Sequence, residues 1–544
     1  MISHTPRSPF DTHEVFNQPP PYENIDLFES DTPLKDAVNA NGGGKESAAL
    51  SEFGRHWGSA EMFALGRQAN ENPPKLHAFD AKGFRSDRIE FHPAYHRLMC
   101  ESVAAGLHAS TWVAAGKHAP PPAEVMRAAR FFMAAQVETG HLCPITMTRA
   151  ALAALAAEPS VSAKVVPKVL TRDYDAAFAP FWEKSGMTLG MGMTENQGGT
   201  DVRANTTKAA PSGDAYLIVG AKWFMSAPMS DAFLVLAQAP GGLTCFLIPR
   251  FRPDGSVNAL RFQRLKDKLG NRSNASSEVE FTEAFAWRIG EEGAGIRNIL
   301  QMVQLTRLDC AVASAGLMRM ALAQAVHHCR YRNVFQKPLY HQPMMRTVLA
   351  DLALEMEGVV ALVMRLCRAL DCAAEDAHEA AYARLITPAA KFLICKIAPA
   401  FVFEAMECLG GNGYVEESIM PRLYREAPVN AIWEGSGNVM CLDVLRALRG
   451  EEERSLFRTL AHDAGVEVRD LNAEEPPNEA YARMTVQRLA LLASAGALRA
   501  GAPPQVADQF VCSRLAGARG TLYGTQQIDP VVANLLLQRA LPER

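Results

Sequence analysis

The chain has 544 residues, 48% hydrophobic and 21% charged, with a formal net charge of −4. That composition suits several folded domains and excludes wholesale disorder and a broad polyanion-binding surface. The 11 cysteines include no CxxC pair, which speaks against a zinc knuckle or dithiol redox site. They read as buried free thiols in a reducing compartment, so no metal is expected.

Residues 1–30 carry Pro6, Pro9, Pro19, Pro20 and Pro21 among polar residues. They read as an extended arm, either a loose tail or a wrap around a neighbouring subunit. Met1–Arg7 lacks the apolar centre of a signal peptide, and no apolar run approaches the ~20 residues of a membrane span. The expectation is a cytoplasmic protein without a membrane partner. Residues 31–185 read as a helical domain, with apolar residues recurring at three and four through Pro122–Phe132 and 149–157. Between 186 and 290 come short alternating runs such as Ala215–Val219, Ala232–Leu236 and Leu243–Ile248, divided by turn signals at Ser212-Gly213-Asp214 and Pro240-Gly241-Gly242. These predict a small antiparallel barrel. Long helices return over 291–448, and 449–544 reads as an extra helical domain. The fold class is α+β, mainly α.

Three constellations carry chemistry. Met191-Gly192-Met193-Thr194-Glu195 with Gly199-Thr200-Asp201 opens the barrel. Small residues, hydroxyls and backbone N–H groups there suit a planar heterocycle and its phosphates; the same letters also describe a Gly-rich hairpin. Trp223-Phe224-Met225-Ser226 offers an aromatic face beside a hydroxyl donor, or an ordinary strand. The third is Cys408-Leu409-Gly410-Gly411-Asn412-Gly413 followed by Ile432-Trp433-Glu434-Gly435-Ser436-Gly437-Asn438. A carboxylate between a large aromatic and a glycine suits proton abstraction, although a lone acid at a helix start is also an ordinary first-turn residue.

In this order and on this domain plan, the three resemble the signatures of the acyl-CoA dehydrogenase family. Lys268-Leu269-Gly270-Asn271-Arg272-Ser273 and Glu292–Gly295 are similar to further family landmarks. A narrower resemblance, through Phe16–Pro19, Leu142–Thr148, Leu265–Ser276 and Met440–Leu445, is to the AidB-type flavoproteins of the bacterial adaptive response to DNA alkylation. The resemblance implies a helical domain, a β-barrel, a four-helix domain and bound FAD. Met191, Met193, Thr194, Gly199 and Thr200 match positions that hold the flavin and its phosphates. Phe224, Met225 and Ser226 match its face and N5 edge. Arg332, Phe335 and Gln342 resemble an element that reaches FAD in the neighbouring subunit, with Gly411 in the same group, which implies a homotetramer built as a dimer of dimers. Ile432, Trp433, Gly435, Ser436 and Asn438 match residues around the base and the adenosine half.

Glu434 matches the base that removes the α-proton of an acyl-CoA thioester while the β-hydride passes to the flavin. Some relatives carry that carboxylate at the position of Thr306, leaving Glu434 the sole candidate here. Three departures stand out: Gln336 where the family has Gly, Glu407 where it often has Gln, and Trp433 where Tyr is usual. They speak against efficient turnover of ordinary acyl-CoA, and the subfamily resemblance implies a weak, isovaleryl-CoA-like dehydrogenase activity. The subfamily also implies duplex DNA as a partner of the last domain, through Arg483, Arg488, Arg499, Arg514 and Arg519. Against that, 450–544 holds no Lys, ten Arg and twelve Asp or Glu, a composition that gives phosphate binding no support. The expectation is an adaptive-response flavoenzyme that protects DNA or destroys alkylating agents. The alternatives are a metabolic dehydrogenase of branched or long acyl chains and a non-catalytic flavin-bearing DNA-binding scaffold.

Overall fold

A computed structural model describes residues 12–466, 478–516 and 520–543. Helices dominate on either side of a central sheet, as the hydrophobic spacing predicts. The N-terminal region packs the helices Ala123–Val137 and Leu142–Leu155 against the bundle that follows. It also holds two hairpins that the helical reading passes over, Lys75–Phe79 with Arg85–Glu90 and Trp112–Ala114 with Lys117–His118. Both follow helix-stopping signals, Pro73-Pro74 and Gly106, after which the 3.6-residue period lapses.

The sheet has seven strands, in the order Leu260–Leu265, Ser276–Ile289, Gly242–Pro249, Ala232–Ala239, Leu189–Thr194, Ala215–Ser226 and Lys208–Ser212. Ser276–Ile289 also pairs with Ala215–Ser226, which curls the sheet onto itself. Most pairings are antiparallel, but Leu189–Thr194 runs parallel to Ala232–Ala239. Register decides what each residue of the strand Ala215–Ser226 does. With a side-chain period of two, Phe224 and Ser226 share one face and Met225 takes the other. Met225 is accordingly fully buried in the barrel core. Its side chain cannot touch a cofactor lying on the Phe224 face, contrary to the expectation from sequence.

The C-terminal bundle is built from Gly295–Tyr331, Pro343–Cys372 and Ala377–Glu407, closed by Gly437–Ala447. Gly316 lets the first of these lie against Ala123–Val137, since a Cβ there would stand 2.7 Å from the Phe132 carbonyl. Ala377–Glu407 is long and apolar enough to span a membrane by composition, yet most of it is buried in the bundle.

The last region is no separate module. Ala482–Gly501 and Pro504–Val511 bury Leu489, Leu492 and Phe510 in the same core as the bundle. At Gly358 a Cβ would meet the Phe510 ring at 2.3 Å. Charge reinforces this docking: Arg514 bonds Asp351 at 2.5 Å and Glu355 at 3.0 Å, and Arg539 bonds Glu357 at 2.6 Å and Asp36 at 2.7 Å.

A second buried network ties the N-terminal region to the bundle. Asp309 accepts from Arg127, from Arg149 at 3.0 Å and from Thr146 at 2.8 Å, while Arg149 also pairs with Glu124. Beside it, Asp371 caps the helix Ala123–Val137, accepting the amides of Glu124 at 2.8 Å and Val125 at 3.2 Å. Burial pushes the Asp371 carboxyl up to about 7 despite those donors. A carboxyl whose folded value lies above its unfolded one is worth most to stability at low pH, and that contribution is lost as pH rises through the folded value. Asp371→Asn should therefore flatten the fall in thermal stability between about pH 4 and 7, read by unfolding scans across that window.

Candidate active site

Glu434 lies just before the helix Gly437–Ala447, in a segment of unusual backbone: Glu434 has φ +58° and Gly435 +100°. A non-glycine residue in the left-handed region costs of order 1–2 kcal/mol and persists only where its surroundings impose it. Here they do. Arg307 donates to the Glu434 carbonyl at 3.2 Å and Lys391 to the Gly435 carbonyl at 2.7 Å. Arg307 is itself anchored on Asp443 at 2.6 Å. Trp433 is pinned through its indole N–H to Asn430 at 2.9 Å, and Asn430 to Ser314 at 3.1 Å.

Thr306, singled out in the sequence as the alternative position for a base, proves to be the partner of Glu434. Its hydroxyl stands 2.5 Å from Glu434 Oε2 and 2.9 Å from the Val303 carbonyl. One hydroxyl proton serves two acceptors, so Thr306 can donate to the carboxylate. Once Glu434 has gained a proton, Thr306 can turn toward Val303 and accept instead. The sequence marks Thr306 only as a missing acid beside Arg307. Its partnership depends on an approach between residues far apart in the chain, which local spacing does not signal.

Cys143, on which both Glu434 and Ser226 act, links this segment to the barrel edge. Met191 pairs with Ser226 and Thr194 with Phe224 across adjacent strands, and Ser276 pairs with Ser226 on the other side. Phe224 and Trp223 are partly exposed. Glu195 fixes the loop that carries Gly199 and Thr200. It accepts from the amides of Thr206 at 2.7 Å and Thr207 at 3.1 Å and pairs with buried Lys222 at 2.7 Å. Burial opposes its ionisation, but Lys222 and the loop donors hold the carboxyl down to about 2. Glu195 is thus a structural brace, and Gly199 and Thr200 are presented on the exposed tip.

Two further side chains join this space. Cys143 is near enough to Ser226, Asn274, Lys268 and Glu434 for each to act on its thiol. Burial pushes its thiol up to about 12, so it stays neutral. Lys268 donates to the Asn274 carbonyl at 2.7 Å and to Ser276 at 3.2 Å. Both lie in segments singled out from sequence, but nothing in the letters shows that they meet.

The remaining expected residues form a second group. Arg332 ends the helix Gly295–Tyr331, and its guanidinium donates to the Asn17 carbonyl at 2.9 Å. Gln342 donates to the Val334 carbonyl at 3.0 Å. With Glu407, Cys408, Gly410 and Gly411, Arg332 lines an open cavity of about 300 Å³. The described part of the N-terminal arm packs here on its own chain: Pro20 accepts from His327 and Gln18 from Asn412. At 1.5 Å per residue, Thr306 and Arg332 stand about 39 Å apart along their helix. One chain therefore does not bring the two groups together.

Phe335 and Gln336 form the two-residue turn between Asn333–Val334 and Lys337–Pro338, with φ of +49° and +67°. Such turns want Asn-Gly, and here a 92% exposed phenylalanine takes the strained place. Gln336→Gly should relieve roughly 0.5–1 kcal/mol after glycine's entropy is counted. Slower hydrogen exchange of the Leu339 amide, which bonds the Arg332 carbonyl, would register it.

Three family models match the chain in sequence: the adaptive response protein AidB N-terminal domain over residues 17–176, the acyl-CoA dehydrogenase middle domain over 190–284, and the acyl-CoA dehydrogenase C-terminal domain over 293–449. The putative acyl-CoA dehydrogenase AidB of Escherichia coli (strain K12) is 48% identical across 97% of this chain and 98% of its own length. The chain belongs to the acyl-CoA dehydrogenase family. Acyl-CoA dehydrogenase family member 11 of Caenorhabditis elegans is 32% identical over 75% of this chain and 67% of its own. The crystal structure of Caenorhabditis elegans ACDH-11 in complex with C11-CoA superposes with a TM-score of 0.81 at 26% identity, covering 99% of this chain and 93% of that one. Within the family the chain is AidB-like, a flavin oxidoreductase of the acyl-CoA dehydrogenase type with FAD as cofactor.

The arginines expected to meet DNA do not form one face. Arg514 is buried between Asp351 and Glu355, where its charge is already neutralised, so it is withdrawn from any DNA surface. Arg499 pairs with Asp508 at 3.1 Å, and Arg483 donates to Asn438 at 2.9 Å. Arg488 is half-buried, and Arg519 lies outside the described residues.

Proposed function

We propose that the chain oxidises a short, branched acyl-CoA of the isovaleryl type, with Glu434 as base, within the adaptive response for which its N-terminal family model is named. The observation that carries this reading is the placement of the Glu434 carboxylate against Thr306, across a shared space from the Phe224–Ser226 edge. The residues there suit a flavin: an aromatic face, a flanking hydroxyl and a buried Asn274 oxygen without a partner among the described residues. Bound FAD supplies the hydride acceptor. This chain's residues do the rest. Thr306 holds Oε2, leaving Oε1 to take the α-proton, and Arg307 and Lys391 keep the backbone from turning away. Trp433 narrows the space, which favours a short acyl group.

The distance between the two groups along Gly295–Tyr331 supports assembly from several copies. In that reading Arg332, Phe335, Gln342 and Gly411 serve the FAD of a neighbouring subunit in a homotetramer, and Gly435, Ser436, Ile432 and Asn438 complete the local half. Protection against alkylation then rests on the flavin chamber rather than on the last domain's arginines, three of which are already engaged.

Anaerobic titration of the FAD-loaded protein with isovaleryl-CoA tests this. Bleaching of the flavin supports the proposal; a spectrum unchanged by any acyl-CoA overturns it. Retardation of duplex DNA at low salt would restore DNA as a direct partner.

A further inference from the structure

Ser226, Ser276 and Lys268 make a chain of polar groups that ends at the barrel edge. The Ser226 and Ser276 hydroxyls stand 3.2 Å apart across paired strands, and Lys268 Nζ is 3.2 Å from the Ser276 oxygen. The lysine is held by the Asn274 carbonyl at 2.7 Å and approaches Asn271 Oδ1 at 3.4 Å. Asn271 is in turn fixed by Glu426, which accepts from its backbone amide at 2.5 Å and from its side chain at 2.8 Å. The arrangement is therefore braced rather than incidental.

Its polarity follows from donor counting. An ammonium has three donors and no acceptor, and a hydroxyl has one proton. Facing Lys268, the Ser276 oxygen accepts from the ammonium, and among the described residues the Ser226 oxygen, 3.2 Å away, is the acceptor within reach of the single Ser276 proton. The Ser226 oxygen is then occupied as an acceptor, and its own proton is left for whatever lies at the strand edge. Cys143 does not compete for that proton strongly, because its buried thiol stays neutral.

We propose that Lys268 is a positioning residue that, through Ser276, sets the Ser226 hydroxyl as a hydrogen-bond donor toward the flavin edge. This rests on the reading of Ser226 as the flavin-edge residue. The direction is reversible in principle: a neutral amine can accept the Ser276 proton, and Ser226 then becomes an acceptor. Burial lowers Lys268 to about 8, opposed by the carboxylates of Glu426 and Glu138; the third titratable group that faces it, Cys143, is neutral in this range. Glu434 acts on the same corner through its field at Cys143.

The experiment uses the full chain loaded with FAD carrying a nitrogen-15 label at N5, observed by magic-angle-spinning NMR. Hydrogen bonding moves a pyridine-type nitrogen upfield. Ser226→Ala should remove the upfield displacement; if it does not, the flavin is not placed at Ser226, and it is the functional reading that fails. Given that control, Lys268→Met and Ser276→Ala should each lose at least half of the Ser226-dependent displacement. Lys268→Arg, which keeps a cation that never titrates, should retain it. In the unsubstituted protein the displacement should relax as pH rises through about 8, and Lys268→Arg should abolish that relaxation. If Lys268→Met loads no flavin, Ser276→Ala, which deletes one oxygen, decides together with the pH profile. An intact displacement in Ser276→Ala overturns the proposal, whether or not Lys268→Met moves it, because the lysine would then act without the serine.

Discussion

Glu434→Gln should bind acyl-CoA and leave the flavin oxidised. Removing a positioned general base costs roughly 10²–10⁴ in rate, and Thr306 cannot replace it, since a hydroxyl held between Oε2 and a backbone carbonyl has no basicity to offer. The expected loss is about a thousandfold, or about 4 kcal/mol of barrier. Glutamine keeps the size and one oxygen for Thr306, so FAD content and thermal stability should stay within error of the parent. Stopped-flow flavin reduction by isovaleryl-CoA measures the loss. A variant that bleached at more than a tenth of the parent rate would remove Glu434 from the chemistry.

The largest expected effect on stability belongs to Asp309→Asn. Among the described residues, Asp309 is the carboxylate bonded by both Arg127 and Arg149, and all three are buried. Burial alone would push its carboxyl up; Arg127 and then Arg149 outweigh this and hold it below the usual range. Neutralising it leaves two interior guanidinium groups with Glu124 as their remaining bonded acid. Removing one member of such a buried pair costs about 3–5 kcal/mol, and asparagine has nearly the same shape, so no cavity confuses the result. The midpoint of urea unfolding should fall accordingly. Acid should act on the parent in the same sense. A carboxyl lowered by folding stabilises above its unfolded value, near pH 4, and that stabilisation is lost as pH falls through the folded value. The variant should therefore show a shallower loss in acid.

The two halves of the chemistry differ in how far they can be read from the letters. The domain order is legible, because the switch from a 3.6-residue to a two-residue period near 186 and back near 290 is written in local patterning. Glu434, Phe224 and Ser226 are singled out by motif and spacing. Met225 is not, since a motif does not say which face of a strand is inward and one step along it reverses the answer. The partnership of Thr306 with Glu434, and the meeting of Cys143 with Lys268 and Asn274, join residues more than a hundred positions apart; no local pattern encodes them. Arg514 fails for a related reason. An arginine on an amphipathic helix looks alike whether it faces solvent or two acids, and only the docking of Pro504–Val511 against Pro343–Cys372 shows which.

The helix Gly295–Tyr331 carries the partner of Glu434 in its first half and leads at its other end into Arg332, which lines the second cavity. Where one binding pocket needs contributions from two copies, ligand retention and self-association become coupled equilibria. Dilution should then strip flavin from the protein, added flavin should drive reassembly, and the measured affinity for FAD should depend on how much protein is in the tube.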